Sequence, residues 1–321
     1  MRSQQPRSFR TIKHVSAGVA LAVIGLFIAV RPYSAQSLTY SRGQNVSPAF
    51  EGWETAPDGT PSFVFGYMNN NWEEELNVPV GPDNGFNVLG VDLGQPTHFL
   101  PRRNRFVFKV KVPKDFGDKE LIWTLKTNGV TEKAYATLRQ DYFIDNVVVA
   151  SETGALGAGA SNPTVRANKP PVVSIEGAKA RTAKVGQPLE LVAVVTDDGI
   201  PKMSSLGQGG GSPTPAQLAQ RAQVPPVRLT VGKWLGLHLS WFVYRGAGPV
   251  SFDPLQVKAW EDTRAGANSP WAPIWVAPPV PEGCRYVVTA KFEEPGTYIL
   301  RVRADDGALL GDEEVTVTVT Q

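Results

Sequence analysis

Two short strings hold the carboxylates best placed to act together. Asp197-Asp198-Gly199 closes one β-rich run, and Asp305-Asp306-Gly307 closes another. Calcium takes clustered carboxylate and carbonyl oxygens, so four aspartates brought to one end of a domain would form a candidate site. The same strings are also good turn chemistry, because Asp bonds its own backbone two residues on and Gly accepts a left-handed φ. Three tryptophans, Trp260, Trp271 and Trp275, lie around the proline-rich stretch 268–275. A loop of this kind cannot easily bury all its aromatics in a sheet. Exposed indoles there would suit stacking on a glycan or anchoring a protein partner. Covering a sandwich edge is the other use for them.

Other chemistry is thin. Beyond the first 37 residues the only histidines are His98 and His238. No HxxxH, HExxH or paired-cysteine spacing exists, so a transition-metal site would lack ligands. No GxSxG string and no phosphate loop is present. The glycine-rich Gly207–Gly211 is neither fed by a strand nor followed by a helix, and reads as a hinge. His98 is expected to be a hydrogen-bonded structural residue. His238, between Leu237 and Leu239, is expected to face solvent. Glu73, Glu74, Glu75 and the Asp197-Asp198 pair could serve a hydrolase, but each sits beside turn residues. The one cysteine, Cys284, excludes an internal disulfide and reads as a small buried hydrophobe. The chain is therefore not expected to be an enzyme, and calcium is the one cofactor its residues suggest.

The elements that must carry these residues begin with an export signal. Arg2, Arg7, Arg10 and Lys13 precede an uncharged apolar run, Val15–Val30. A basic stretch before an apolar core marks a secretory signal. At 16 residues the run is short beside the roughly 20 that span a bilayer. Residues 1–37 are thus a signal peptide, with Ala35 and Ser37 near the cut, or an N-terminal membrane anchor. They hold five basic residues and no acidic one. The remainder carries 27 Lys and Arg against 30 Asp and Glu, a net of −3, so the overall +2 comes from the targeting segment. A near-neutral body offers no electrostatic footprint for nucleic acid.

The exported part reads as all-β, with two immunoglobulin-like β-sandwich domains at 38–149 and 171–321. Between them, 150–170 is rich in Gly, Ala, Ser, Asn and Pro, the composition of a flexible linker. In the first domain Ser62–Asn69 and Phe106–Val112 alternate with the period of a strand. Leu121–Thr127 and Val130–Leu138 flank Asn128-Gly129, a hairpin signal because both central residues of a type I′ turn need positive φ. The second domain has about seven strand-like runs, the number of an immunoglobulin-like sandwich. They are Val172–Glu176, Leu189–Thr196, Leu237–Tyr244, Leu255–Trp260, Tyr286–Phe292, Tyr298–Ala304 and Glu313–Thr320. Trp241 would be the core tryptophan and Tyr298 a tyrosine corner, with Leu300 at the position of the antibody cysteine. A long insertion, 199–226, interrupts this domain; Thr214 and Pro215 could start a short helix within it.

The first domain carries Gly66-Tyr67-Met68-Asn69, then Val78-Pro79-Val80-Gly81 with Asn84. It continues with Gly94-Gln95-Pro96-Thr97-His98-Phe99, Pro101-Arg102-Arg103, Phe106 and Trp123-Thr124-Leu125. This resembles a β-sandwich module of bacterial exported and cell-surface proteins, with the pattern GYxN…PxGxxN…GQPTxFxPGR…FxV…WTL. Arg102 departs from it, standing where the pattern has glycine. The second domain resembles the Ig, PKD and cadherin-like modules of bacterial surface proteins. Neither resemblance implies a catalytic activity. Together they imply an exported structural or interaction protein of the cell envelope, periplasmic, surface-bound or secreted. Its expected partner is an envelope protein or a glycan, with the membrane touched only through the N-terminal segment. A carbohydrate-binding accessory protein is the alternative, and a periplasmic hydrolase a third.

Overall fold

Aromatic side chains on alternating positions build the first core. The computed structural model describes Tyr40 and residues 42–152, 163–201, 236–246, 248–256 and 279–321. The chain divides into two units, Met1–Leu38 and Thr39–Gln321. The first unit, which holds the expected export segment, lies outside the described residues. Within the second, β1 (Val46–Thr55), β2 (Pro61–Asn69) and β6 (Arg102–Lys111) form one antiparallel sheet. Strands β4 (Asn84–Phe86), β7 (Leu121–Thr127) and β8 (Val130–Ala136) form the facing sheet. Strands β3 (Leu76–Asn77) and β5 (His98–Phe99) pair beside them. Phe63, Phe65, Phe99 and Trp123 are fully buried between the sheets, and Phe108 stands edge-on to Trp123 at 5.0 Å. Asn128 and Gly129 turn the β7–β8 hairpin at φ +48° and +79°.

Strand β6 contains a wide bulge. Phe65 faces Phe108 and Tyr67 faces Asn104, so Arg105, Phe106 and Val107 stand opposite Gly66 alone. Phe106 turns the bulge at φ +50°. Gly66 admits this geometry, because a Cβ there would collide with the Asn104 carbonyl and the Glu51 carboxylate.

The second sandwich has eight strands among the described residues. One sheet runs β13 (Val250–Asp253), β14 (Arg285–Phe292), β11 (Pro188–Thr196), β9 (Val172–Ile175). The other runs β10 (Ala180–Lys184), β16 (Leu310–Thr320), β15 (Gly296–Asp305), β12 (His238–Arg245). Strands β10 and β16 pair in parallel, and all other pairs are antiparallel. Trp241, Leu191 and Leu300 meet in the core. Tyr298 donates its hydroxyl to the Glu294 carbonyl at 2.9 Å, four residues upstream, and closes a tyrosine corner. The all-β, two-sandwich expectation therefore holds.

Four local expectations change. The fourth run of the second domain was placed at Leu255–Trp260, but the strand there is β13. Pro254 has no N–H to offer a ladder, Leu255 beyond it is 71% exposed, and 257–260 lie outside the described residues. Strand β10, Ala-Arg-Thr-Ala-Lys, has no apolar pattern to betray it. His238 is buried, not solvent-facing, because its cross-strand neighbour is Asp305. A helix, α1 (Asn146–Glu152), begins before the expected linker and takes in its first residues, 150–152. Asp145 caps it, its Oδ1 accepting the Val147 and Val148 amides at 2.9 and 3.0 Å.

Candidate functional site

Each residue of the suspected calcium site already has work in its own turn. Asp197 Oδ2 accepts the Gly199 amide at 2.9 Å, and Asp198 Oδ1 accepts that of Ile200 at 2.9 Å. Asp305 Oδ1 accepts the Gly307 amide at 2.7 Å. Its Oδ2 lies 4.0 Å from His238 Nε2. Asp306 Oδ1 accepts the amides of Ala308 and Leu309, each at 2.7 Å. Burial raises the pKa of Asp197 and of Asp306, the latter pushed up to about 6, with Asp305 adding repulsion. Among the described residues no group of three or more His, Cys, Asp or Glu is placed to hold a metal ion.

Asp198 and Asp306 also hold the connector. The Lys169 amide donates to Asp198 Oδ2 at 3.0 Å, and Asn168 Nδ2 donates to Asp306 Oδ2 at 2.9 Å. At the other end, Val149 and Ala150 of α1 pack on Ala308 and Leu309. The described ends of the expected flexible linker are thus tied to the second sandwich. Sequence composition signals a linker but not the acceptors that meet it.

The other candidates divide simply. His98 is buried, with Nδ1 2.8 Å from Asn77 Oδ1 and Nε2 2.8 Å from Glu75 Oε2. Glu74 Oε2 accepts the Gly43 amide at 2.6 Å. Cys284 is a half-buried free thiol on the edge of the second core. Trp260, Trp271 and Trp275 lie outside the described residues, as does most of the 199–226 insertion.

Asn84, Gln95 and Trp123 of the first domain form a hub. Asn84 Nδ2 donates to the carbonyls of Val78 and Pro96 at 2.9 and 2.8 Å. Its Oδ1 accepts Trp123 Nε1 at 2.9 Å. Gln95 Nε2 donates to the carbonyls of Asn84 and Val91. Arg102 adopts φ +63°, a region natural to glycine. Its guanidinium lies 3.9 Å above the Trp72 ring, and Nη1 donates to the Asn70 carbonyl. That buried stacking holds an arginine where glycine would be relaxed.

The site that sequence reading missed is the joint between the sandwiches. Arg301 stacks on the Tyr244 ring at 3.5 Å and donates to the Val107 carbonyl. Arg303 donates to the Phe106 carbonyl at 3.0 Å and the Arg105 carbonyl at 3.4 Å. The β6 bulge thus turns three successive carbonyls toward two arginines of β15. Asp312 holds Arg303 with both oxygens at 2.6 Å, and Glu314 accepts from Arg301 Nε at 2.9 Å. A second contact flanks the first. Tyr244 donates its hydroxyl to the Gly94 carbonyl. Arg245 grips Asp92 with two nitrogens at 2.9 and 2.7 Å, holding that carboxyl below its usual range. Phe242 and Tyr244 pack in the first core while Trp241 and Val243 pack in the second. The run Trp241–Tyr244 carried this signal, since a strand apolar on both faces is buried on both.

Between the sandwiches lies a cleft of about 720 Å³. Val64, Val107, Ile144, Val149 and Leu309 line it, with Lys109–Glu54 and Lys179–Glu313 ion pairs among its walls. The joint and its cleft hold side chains in place, and their charges are matched by protein partners.

No protein-family model matches the sequence, and no curated protein matches it. Among solved structures, a conjugative transposon lipoprotein from Bacteroides eggerthii is 11% identical, covering 46% of this chain and 96% of that one, with a TM-score of 0.23. The S-layer protein rSbsC(31-844) is 8% identical over 86% of this chain and 28% of that one, at 0.24. Fibronectin(III)-like modules of Clostridium thermocellum CbhA are 10% identical over 86% of this chain and 95% of that one, at 0.21. At such scores the likenesses carry no argument about what this chain does.

Proposed function

We propose that the protein is an exported, non-catalytic structural protein of the bacterial cell envelope, acting as a stiff two-sandwich spacer that presents its surfaces to other envelope components. The observation that carries this reading is the joint. Arg301 and Arg303, buried at 7% and 3% exposure, spend their donors on backbone carbonyls of the other sandwich and on Asp312 and Glu314. Charge-assisted bonds of this kind are stronger than neutral ones. They fix an angle instead of activating a substrate. The basic and apolar segment Arg2–Val30 supports export. Among the described residues no helix is long and apolar enough to cross a membrane.

Small-angle scattering tests the stiffness. The wild-type chain is expected to give one compact profile, and the Arg301→Ala/Arg303→Ala variant a broader one. A wild-type profile as broad as the variant's refutes the spacer. Export is tested on protein from the producing cell, which should begin near Gln36–Leu38 or sit in the membrane with Met1 intact. Full-length chain soluble in the cytoplasm rules export out. Glycan binding through Trp260, Trp271 and Trp275 is the second reading, resting on the proline-rich sequence around them; a glycan array with no binding removes it.

A further inference from the structure

One carboxyl holds both ends of the connector between the sandwiches. Asp306 follows the last residue of β15 and is fully buried. Its Oδ1 accepts the Ala308 and Leu309 amides, each at 2.7 Å. That loop is the surface on which Val149 and Ala150 of α1 pack, at the entry to the connector. At the exit, Asp306 Oδ2 accepts Asn168 Nδ2 at 2.9 Å. The next residue, Lys169, donates its amide to Asp198 Oδ2 at 3.0 Å. The chain has little slack beyond this point, because a Cβ on Gly311 would collide with the Pro171 carbonyl. Entry and exit therefore converge on Asp306.

The groups around that carboxyl give it donors but little countercharge. Ala308, Leu309 and Asn168 meet it with neutral amides. Asp305, its neighbour in sequence, repels it. His238 of β12 stands across from Asp305, with Nε2 4.0 Å from Oδ2 of that residue. From α1 come only Val149 and Ala150. An anion buried among neutral donors is disfavoured against its protonated form. Burial, with Asp305 adding repulsion, raises the Asp306 pKa to about 6, from the usual 3.8. Lifting the connector away would hydrate the carboxyl and relax that shift, so docking and proton uptake are linked. We propose that Asp306 is a proton-operated latch, docking both ends of the connector on the second sandwich in mild acid and loosening them as the medium turns neutral. A proton on Oδ2 makes Asp306 a donor there. The Asn168 amide, whose Oδ1 is buried and unbonded, turns over to accept it. The docked state has the higher pKa, so the latch is strongest below about pH 4 and fades as pH rises through 6. This goes beyond the spacer reading and does not rest on it, since the arginine joint holds the sandwiches through other residues.

Hydrogen exchange at the Lys169 amide of the full chain tests the latch, because the bond from that amide to Asp198 forms only while the connector is docked. After correction for the intrinsic exchange rate, protection is expected to be about tenfold greater at about pH 5 than at about pH 7.5. Asp306→Asn, which keeps a donor toward Asn168 at every pH, should make protection level across that range. Equal protection of the wild type at the two pH values overturns the proposal. So does a variant that keeps the wild-type slope, which would place the proton on Asp305 or His238. Carboxyl NMR of the wild type needs no variant: titration of Asp306 with a midpoint near 6 supports the latch, and a midpoint near the usual 3.8 removes it.

Discussion

The first sandwich is stapled by side chains, and the second by its ladder. Asn84 ties Val78, Pro96 and Trp123 together across three segments, and Asn69 reaches the carbonyls of Glu74 and Phe99. Its core is mostly rings. The second sandwich packs Leu, Val and Ala between two four-stranded sheets, with one large indole, Trp241. That indole has a buried Nε1 with no hydrogen-bond partner, whereas Trp123 Nε1 is bonded to Asn84. The two- and three-residue strands β3, β4 and β5 cannot organise the loops around them, so the first domain uses amide side chains there as surrogate backbone. The second sandwich has no strand shorter than four residues among the described residues.

Four measurements bear on that contrast. The largest effect is expected from Trp123→Ala and Trp241→Ala, each losing roughly 3–5 kcal/mol of stability to a cavity. Urea midpoints read it, and an unchanged midpoint for either removes that tryptophan from its core. Next comes pH. Asp306 is fully buried, and its folded pKa of about 6 lies above the usual 3.8. The folded state therefore binds the extra proton, so this contribution is complete below about pH 4 and is lost as pH rises through 6. Its size is on the order of 3 kcal/mol. Asp306→Asn should remove that slope, with the Asn168 amide turning its unbonded Oδ1 to the new donor. Identical pH profiles of variant and wild type would sink the assignment.

A finer distinction is expected from phenylalanine. Trp123→Phe leaves the Asn84 oxygen without its donor, while Trp241→Phe removes a donor that had no acceptor. The first should cost more than the second by about 1–2 kcal/mol; equal costs would erase the contrast between stapled and laddered cores. The smallest effect is Tyr298→Phe, about 1 kcal/mol for one corner hydrogen bond. Calorimetric melting resolves it, and no shift would make the corner decorative.

The same contrast explains what the sequence made legible. Trp241, Tyr298 and Leu300 lie on strands whose period of two is plain, and Asn128-Gly129 names its own turn. Strand β1 hides because Pro48, Glu51 and Gly52 interrupt its pattern, although Gly52 is needed where Ile144 crosses close above. Strand β10 hides because it is a polar edge. The candidate aspartates were legible as turns, but not as acceptors for Asn168 and Lys169, which lie far away in sequence. The joint was least legible. Arg301 and Arg303 alternate with Leu300 and Val302 like any wet face of a strand, and only the β6 bulge, made by an unpaired stretch against Gly66, gives them carbonyls to meet.

Strand β12 belongs to two cores at once, and that ties the order of synthesis to the order of completion. A chain synthesised from its N-terminus delivers all eight strands of the first sandwich before Phe242 and Tyr244 arrive. Until then one flank of that sandwich stays uncovered, open to wrong neighbours. The later domain thus acts as the closing piece for the earlier one, and a truncation between Ala136 and Phe242 leaves the first half unfinished even though none of its own strands is missing.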